Sequence, residues 1–471
     1  MIIYNADVDG RLYTLRLRFG YISCMKSQDG VVDSQTAQLL GIGMDTISDD
    51  GYFPYHELID ARGLKLLPGF IDLHVHFRDP GLTKKEDLLS GSKAAAAGGF
   101  TTVVMMPNTI PVIDNADLLY RQNQIMQEIG LVNGLYAGAI TKGLEGQELT
   151  PIEELNSVDT KAQNLLGHGV AGLSDDGKNV DNEQMMRDAM NIAKRLDLLV
   201  MDHTEDNQLD AGYINDGRVS SELDIAGIPN VKESNIVARD IRLAEETGAR
   251  VHIQHVSTRE SVALIRDAKA RGLNITSETG PHYFALTDEA ILVQGADAKM
   301  NPPLRNDDDK LAVINGLKDG TIDCIATDHA PHTITDKWGE VSKHAYGKFN
   351  ASEKKDVLET SAFGIVGLET AFAISYTYLV KPGHLTLEQL VDKLSKNPAK
   401  ILGLQRGKID GDVREGMRAD LVLVDLNQAY KIDSKTFASK SRNTPFDGVD
   451  VEGKVVMTIH DGNITYRSRS K

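Results

Sequence analysis

Apolar residues in the middle of this chain gather in eight short runs, at residues 70–76, 101–106, 131–141, 169–173, 198–203, 250–255, 273–279 and 322–328. Each is short, rich in aliphatic residues and bounded by turn formers, which predicts a buried strand. The segments between them, such as 85–97, 151–166, 183–196, 234–246 and 259–270, read as helices. Eight strands alternating with helices predict an α/β fold, a (β/α)8 TIM-type barrel. The rival, a doubly wound open sheet, would carry a Gly-rich phosphate loop after its first strand, and the sequence has none there.

The two ends follow a different pattern. Near the N-terminus, Leu12, Leu15 and Leu17, then residues 39–46 and 58–67, look extended and are broken by Gly and Asp. Near the C-terminus, A-D-L-V-L-V-D at 419–425 reads as a buried strand, and residues 452–466 form two β-rich pieces around Asp461-Gly462, a hairpin signal. Both ends are therefore expected to build one small β-sandwich domain. The predicted division is 1–67 and 410–471 for that domain, and 68–409 for the barrel.

Composition narrows the class. With 471 residues, of which 41% are hydrophobic and 25% charged, the chain can bury a large core without disulfides. Its two cysteines, Cys24 and Cys324, lie outside any C-x-x-C pattern and are expected to be free thiols. No apolar run is long enough to span a bilayer, and the N-terminus lacks the pattern of a secretory signal, so a cytoplasmic location is expected. A net charge of −17 argues against nucleic-acid binding. It also means that an anionic substrate would have to be captured by a few local cations, because screening confines electrostatics to about 8 Å.

The chemistry-bearing residues cluster at the ends of the predicted strands, where a barrel builds its active site. His74 and His76 sit two apart in an extended segment, so both imidazoles point the same way and can share a metal ion. Strand four ends in Ser174-Asp175-Asp176-Gly177, strand five at His203, strand six in His252-Ile253-Gln254-His255, and strand eight in Asp328-His329-Ala330-Pro331-His332. Four histidines and two carboxylates from separate strands, without thiolates, suit zinc or a similar divalent ion.

Several segments carry a family resemblance. H-V-H-F-R-D-P-G at 74–81, H-V-S-T at 255–258 and A-T-D-H-A-P-H at 326–332 resemble the amidohydrolase superfamily. With M-P-N-T at 106–109, S-D-D-G at 174–177, N-P-P-L-R at 301–305, F-G-I-V-G-L-E-T-A at 363–371 and S-R-N-T-P at 441–445, the chain resembles type I dihydroorotases in particular. The resemblance implies one or two Zn2+ ions, the first held by His74, His76 and Asp328 and the second by His203 and His255. It implies a bridging aspartate where many relatives use a carbamoylated lysine; Asp176 is assigned, with Asp175 the alternative. His252 matches no ligand and is expected in the core or behind the ligands.

The implied reaction is the reversible cyclisation of N-carbamoyl-L-aspartate to L-dihydroorotate. Metal-bound hydroxide would be the nucleophile in ring opening, and Asp328 the proton shuttle. His76, Arg78, Asn108 and His332 correspond to carboxylate partners of the substrate, and Asn301, Phe363 and Gly364 to contacts with its ring amides. Arg78 suits that task because its guanidinium presents a planar fork to a carboxylate. Residues 84–87 read as a solvated face and first helical turn. The charged segment 333–360 is longer than is usual in the family; it reads either as a lid or as an inert surface insertion. Within the superfamily the alternatives are allantoinase and dihydropyrimidinase. From another class comes a non-catalytic, dihydroorotase-like partner of aspartate transcarbamoylase. Association with that enzyme and a homodimer are the expected assemblies.

Overall fold

The computed structural model describes residues 1–36 and 57–468, so the predicted strand at 39–46 lies outside the described residues. Eight parallel strands form the central sheet, in sequence order from Phe70–Val75 to Cys324–Ile325. A parallel bridge between Val75 and His329, with the His76 amide donating to the His329 carbonyl at 2.9 Å, joins the last strand to the first. All eight predicted runs contain a strand. Those at 169–173 and 322–328 shrink to the two-residue strands Gly172–Leu173 and Cys324–Ile325.

Local signals account for the helices. Leu88–Ala97 starts at Asp87, whose carboxylate accepts from the Ser90 amide while the Ser90 hydroxyl accepts from the Asp87 amide. Glu183–Leu196 and Arg259–Ala270 have the predicted bounds, capped by Asn182 and Thr258. Residues 151–166 hold two short helices, Ile152–Ser157 and Lys161–Leu165, instead of one. Thr160 begins a second capped start there and interrupts the run.

The termini meet in a second sheet. Its strands run in the order Asn463–Arg467, Asp450–His460, Leu421–Lys431, Lys65–Pro68, Ile2–Val8, Arg11–Arg18 and Tyr21–Ser27, with Leu58–Asp60 parallel to Ile2–Val8. The Asp461-Gly462 turn joins Asp450–His460 to Asn463–Arg467, as its sequence predicts. Lys65–Pro68 leads directly into the first barrel strand, and Phe70 anchors that junction. Its ring is fully buried, stacked on Phe372 at 5.2 Å between centroids and edge-on to Phe100 at 5.8 Å. No helix among the described residues is long and apolar enough to cross a membrane.

Candidate metal centre

At one end of the barrel, four imidazoles surround two carboxylates. His74 Nε2 lies 3.1 Å from Asp176 Oδ1 and 3.6 Å from Asp328 Oδ1, and His76 Nε2 lies 3.0 Å from Asp328 Oδ1 and 3.5 Å from Asp176 Oδ2. From the next strands, His203 Nδ1 and His255 Nε2 approach Asp176 Oδ1 at 3.5 and 3.8 Å, and each other at 2.7 Å. His255 and Asp328 stand just beyond their strands with φ of 35° and 47°, and Arg78 has φ of 60°. A positive φ is uncommon for non-glycine residues.

The strand-four pair divides cleanly. Asp175 accepts from the amides of Ile140 (2.8 Å) and Thr141 (3.0 Å) and from the Thr141 hydroxyl, so it caps a loop. Asp176 faces the histidines. Burial alone would raise its pKa, but His74 and His76 hold its carboxyl well below the usual range. Asp328 shows the same balance of burial against His74 and His76 and is also held low. Both are thus ionised acceptors.

This donor set fits a divalent cation. His74 Nε2 is buried and has no hydrogen-bond partner, although two anionic oxygens lie beside it. Two ring nitrogens face each other at 2.7 Å across Asp176. A cation among these atoms would use those lone pairs at once. The cluster His252–Glu278–Cys324 is different in kind. There His252 Nε2 already pairs with Glu278 Oε2 at 3.1 Å, and burial with the nearby Glu278 charge pushes the Cys324 thiol up, away from thiolate.

Behind the histidine–aspartate cluster lies a layer of partners that the sequence did not single out. Glu278 takes His74 Nδ1 at 2.9 Å and His252 Nε2 at 3.1 Å, which places His252 behind the cluster. Glu205 takes His203 Nε2 at 3.2 Å and pairs with Lys232 at 3.0 Å. The signal available was position: both glutamates fall at strand ends, in H-T-E-D and S-E-T.

The other predicted site residues also gather here, with altered surroundings. Arg78 Nη2 lies 3.5 Å from His332 Nε2, and Lys85 Nζ lies 3.2 Å from His332 Nδ1. Burial first, then Arg78, Lys85 and Lys337, push the His332 imidazole far below its ordinary range, so it is neutral amid cations. Asn108 bridges two members of the cluster: its Oδ1 meets His76 Nδ1 at 2.9 Å and its amide donates to Asp176 Oδ2 at 3.2 Å. Asn301 donates to Glu205 Oε2 at 2.7 Å. Gly364 has both polar backbone atoms engaged, its amide with the Lys299 carbonyl and its carbonyl with Lys337 and Asn443. With φ of 121° and a Cβ position 2.7 Å from Ala330 Cβ, no other residue fits there without strain.

Residues 84–87 depart from the expected solvated face. Glu86 is fully buried, bound by the hydroxyls of Ser90 and Ser439 and the Lys440 amide, and Lys85 turns toward His332. Charge runs expose one face only when nothing packs on them, and here the segment around Ser439 to Ser441 does.

Comparison with known proteins adds family to this geometry. Residues 66–465 match the model of the amidohydrolase family. A dihydroorotase of Ruminiclostridium cellulolyticum is 45% identical over 414 residues, 88% of this chain and 90% of that protein. The dihydroorotase of Trichlorobacter lovleyi is 42% identical over 94% of this chain and 95% of its own length. The chain belongs to the dihydroorotases of the amidohydrolase family. Among solved structures, the L-hydantoinase (dihydropyrimidinase) of Arthrobacter aurescens superposes with a TM-score of 0.80 at 22% identity, covering 100% of this chain and 96% of its own. The dihydropyrimidinase of Brevibacillus agri gives 0.75 at 23% identity, covering 99% and 95%. At that identity the likeness speaks to the barrel and its appended sheet alone.

Proposed function

We propose that this chain is a type I dihydroorotase, a zinc-dependent cyclic amide hydrolase that interconverts N-carbamoyl-L-aspartate and L-dihydroorotate in pyrimidine biosynthesis. The observation that carries this reading is the cationic corner of Arg78, Lys85 and neutral His332 directly beside the histidine–aspartate cluster. It gives a carboxylate-bearing substrate a fixed counter-charge in a chain whose net charge is −17. His74, His76, His203, His255, Asp176 and Asp328 would hold one or two Zn2+ ions. When bound, zinc supplies an activated water and polarises the amide carbonyl.

The remaining work falls to the side chains. Arg78 and His332 bind and orient the substrate carboxylate, with Asn108 beside them. Asp328, the most solvent-accessible carboxylate of the pair at 8% exposure, moves the proton to or from the amide nitrogen. Asn301 and the backbone of Phe363 meet the ring amides, whereas Gly364 supports that loop. The same reading takes 68–409 as the catalytic barrel, with 1–67 and 410–471 as the appended domain. It also carries a cytoplasmic homodimer that can associate with aspartate transcarbamoylase.

Dihydroorotate, allantoin and dihydrouracil should be assayed side by side on purified protein with its metal counted. Turnover of dihydroorotate alone, with zinc bound, is expected. Opening of only the other two rings would overturn the assignment.

A further inference from the structure

Two buried lysines bind neither metal nor substrate in the reading above, and they interlock. Lys337 is 1% exposed, and its ammonium donates to the carbonyls of Lys299 (2.9 Å), Ala362 (2.7 Å) and Gly364 (2.9 Å). Lys299 is 2% exposed, and its ammonium donates to the carbonyls of Leu358 and Ser361. Its charge also lies 4.2 Å from the centroid of the Phe363 ring. Three carbonyl acceptors within 2.9 Å match the three N–H bonds of a Lys337 ammonium, whose pKa burial pushes down to about 7. Both ammonium groups thus spend their donors on backbone, and apart from Leu358, in the helix Ala351–Thr360, the backbone they gather belongs to two loops. One loop runs from Lys299 to Asn301 and the other from Ser361 to Gly364.

The segment 333–360 supplies this arrangement. It folds into Ile334–Trp338, Lys343–Lys348 and Ala351–Thr360, and closes over a small core of Ala296, Trp338, Tyr346 and Val357, with the Trp338 indole donating to Asp297 at 3.0 Å. Lys337 directly precedes Trp338, a member of that core. A mobile cover would expose its carbonyl contacts to water each time it opened; this segment instead buries two lysines whose acceptors, Leu358 apart, lie in the site loops.

We infer that segment 333–360 is a brace and that Lys337 is a positioning residue, clasping the Asn301 and Phe363–Gly364 loops at the separation the substrate ring requires. The inference rests on the substrate contacts proposed above. It predicts preorganised binding: the clasp lowers KM without touching the proton transfer or the metal ligands.

The test is Lys337→Met in the zinc-loaded protein. KM for dihydroorotate should rise about tenfold to a hundredfold while kcat and zinc content stay near wild type, the split expected when ground-state and transition-state binding are lost together. Amide exchange at Gly364, whose N–H bonds the Lys299 carbonyl at 3.0 Å, should accelerate. Lys337→Gln keeps two N–H donors and should give a smaller rise, which serves if the methionine variant does not fold. Val357→Ala loosens the small core without touching the clasp and should leave KM unchanged. An unchanged KM in both Lys337 variants, or the same rise in Val357→Ala, overturns the clasp. Absence of dihydroorotate turnover in the wild type would remove the proposed function instead; Gly364 exchange in Lys337→Gln would still judge the clasp, unchanged exchange overturning it.

Discussion

Glu278→Gln isolates the layer behind the proposed metal ligands. The Glu278 carboxylate is 1% exposed and joins two imidazoles, His74 Nδ1 at 2.9 Å and His252 Nε2 at 3.1 Å. Its pKa is held down at about 2, because both imidazoles outweigh the effect of burial. A carboxylate bonded to the far nitrogen of a ligating histidine fixes the ring's tautomer and raises its basicity. Glutamine keeps the shape and can still accept from His74, but it loses the charge and turns an N–H donor toward His252. His252 can adapt, since its other nitrogen meets the Thr276 hydroxyl at 2.8 Å. Folding should therefore survive while zinc affinity falls about 10- to 100-fold, or about 1.4–2.7 kcal/mol. Competition against a chromophoric chelator measures that constant without an activity assay. Affinity within twofold of wild type would show that Glu278 serves the barrel interior and not the metal. Glu278→Ala provides the contrast, since two buried imidazoles then lose their acceptor and the melting temperature should fall as well.

Other residues separate binding, chemistry and fold. Asp328→Asn should keep the fold and lower turnover by about 10²- to 10⁴-fold in both directions, and near-normal turnover would remove Asp328 from proton transfer. Arg78→Met should weaken kcat/KM for dihydroorotate by about 1.5–3 kcal/mol, read from initial rates. The same variant should gain nothing on allantoin; equal losses on any weakly turned-over uncharged ring would contradict a carboxylate role. Phe70→Ala should cost about 3–5 kcal/mol in denaturant unfolding, because it empties the stacked site between barrel and terminal sheet. A loss below 1 kcal/mol would mean that the junction collapses around the void.

Much of this protein is readable in one dimension because its determining patterns are local. Strand-length apolar runs alternating with helical ones specify barrel units, and Asp461-Gly462 specifies a hairpin, since each rests on backbone preferences within a few residues. The metal-type residues could be chosen for a related reason. A barrel brings all strand ends to one face, so position along each run predicts convergence. Tertiary structure decided whatever depends on what packs across the chain. Asp175 and Asp176 are neighbours of identical chemistry, and only the placement of Thr141 against one and the histidines against the other tells them apart. Glu86 belongs to a charged run, yet the segment around Ser439 to Ser441, more than 350 positions later, buries it. Lys337 likewise reads as a surface charge in a long insertion. Its three carbonyl partners lie at positions 299, 362 and 364, and only the folded chain brings them to one ammonium.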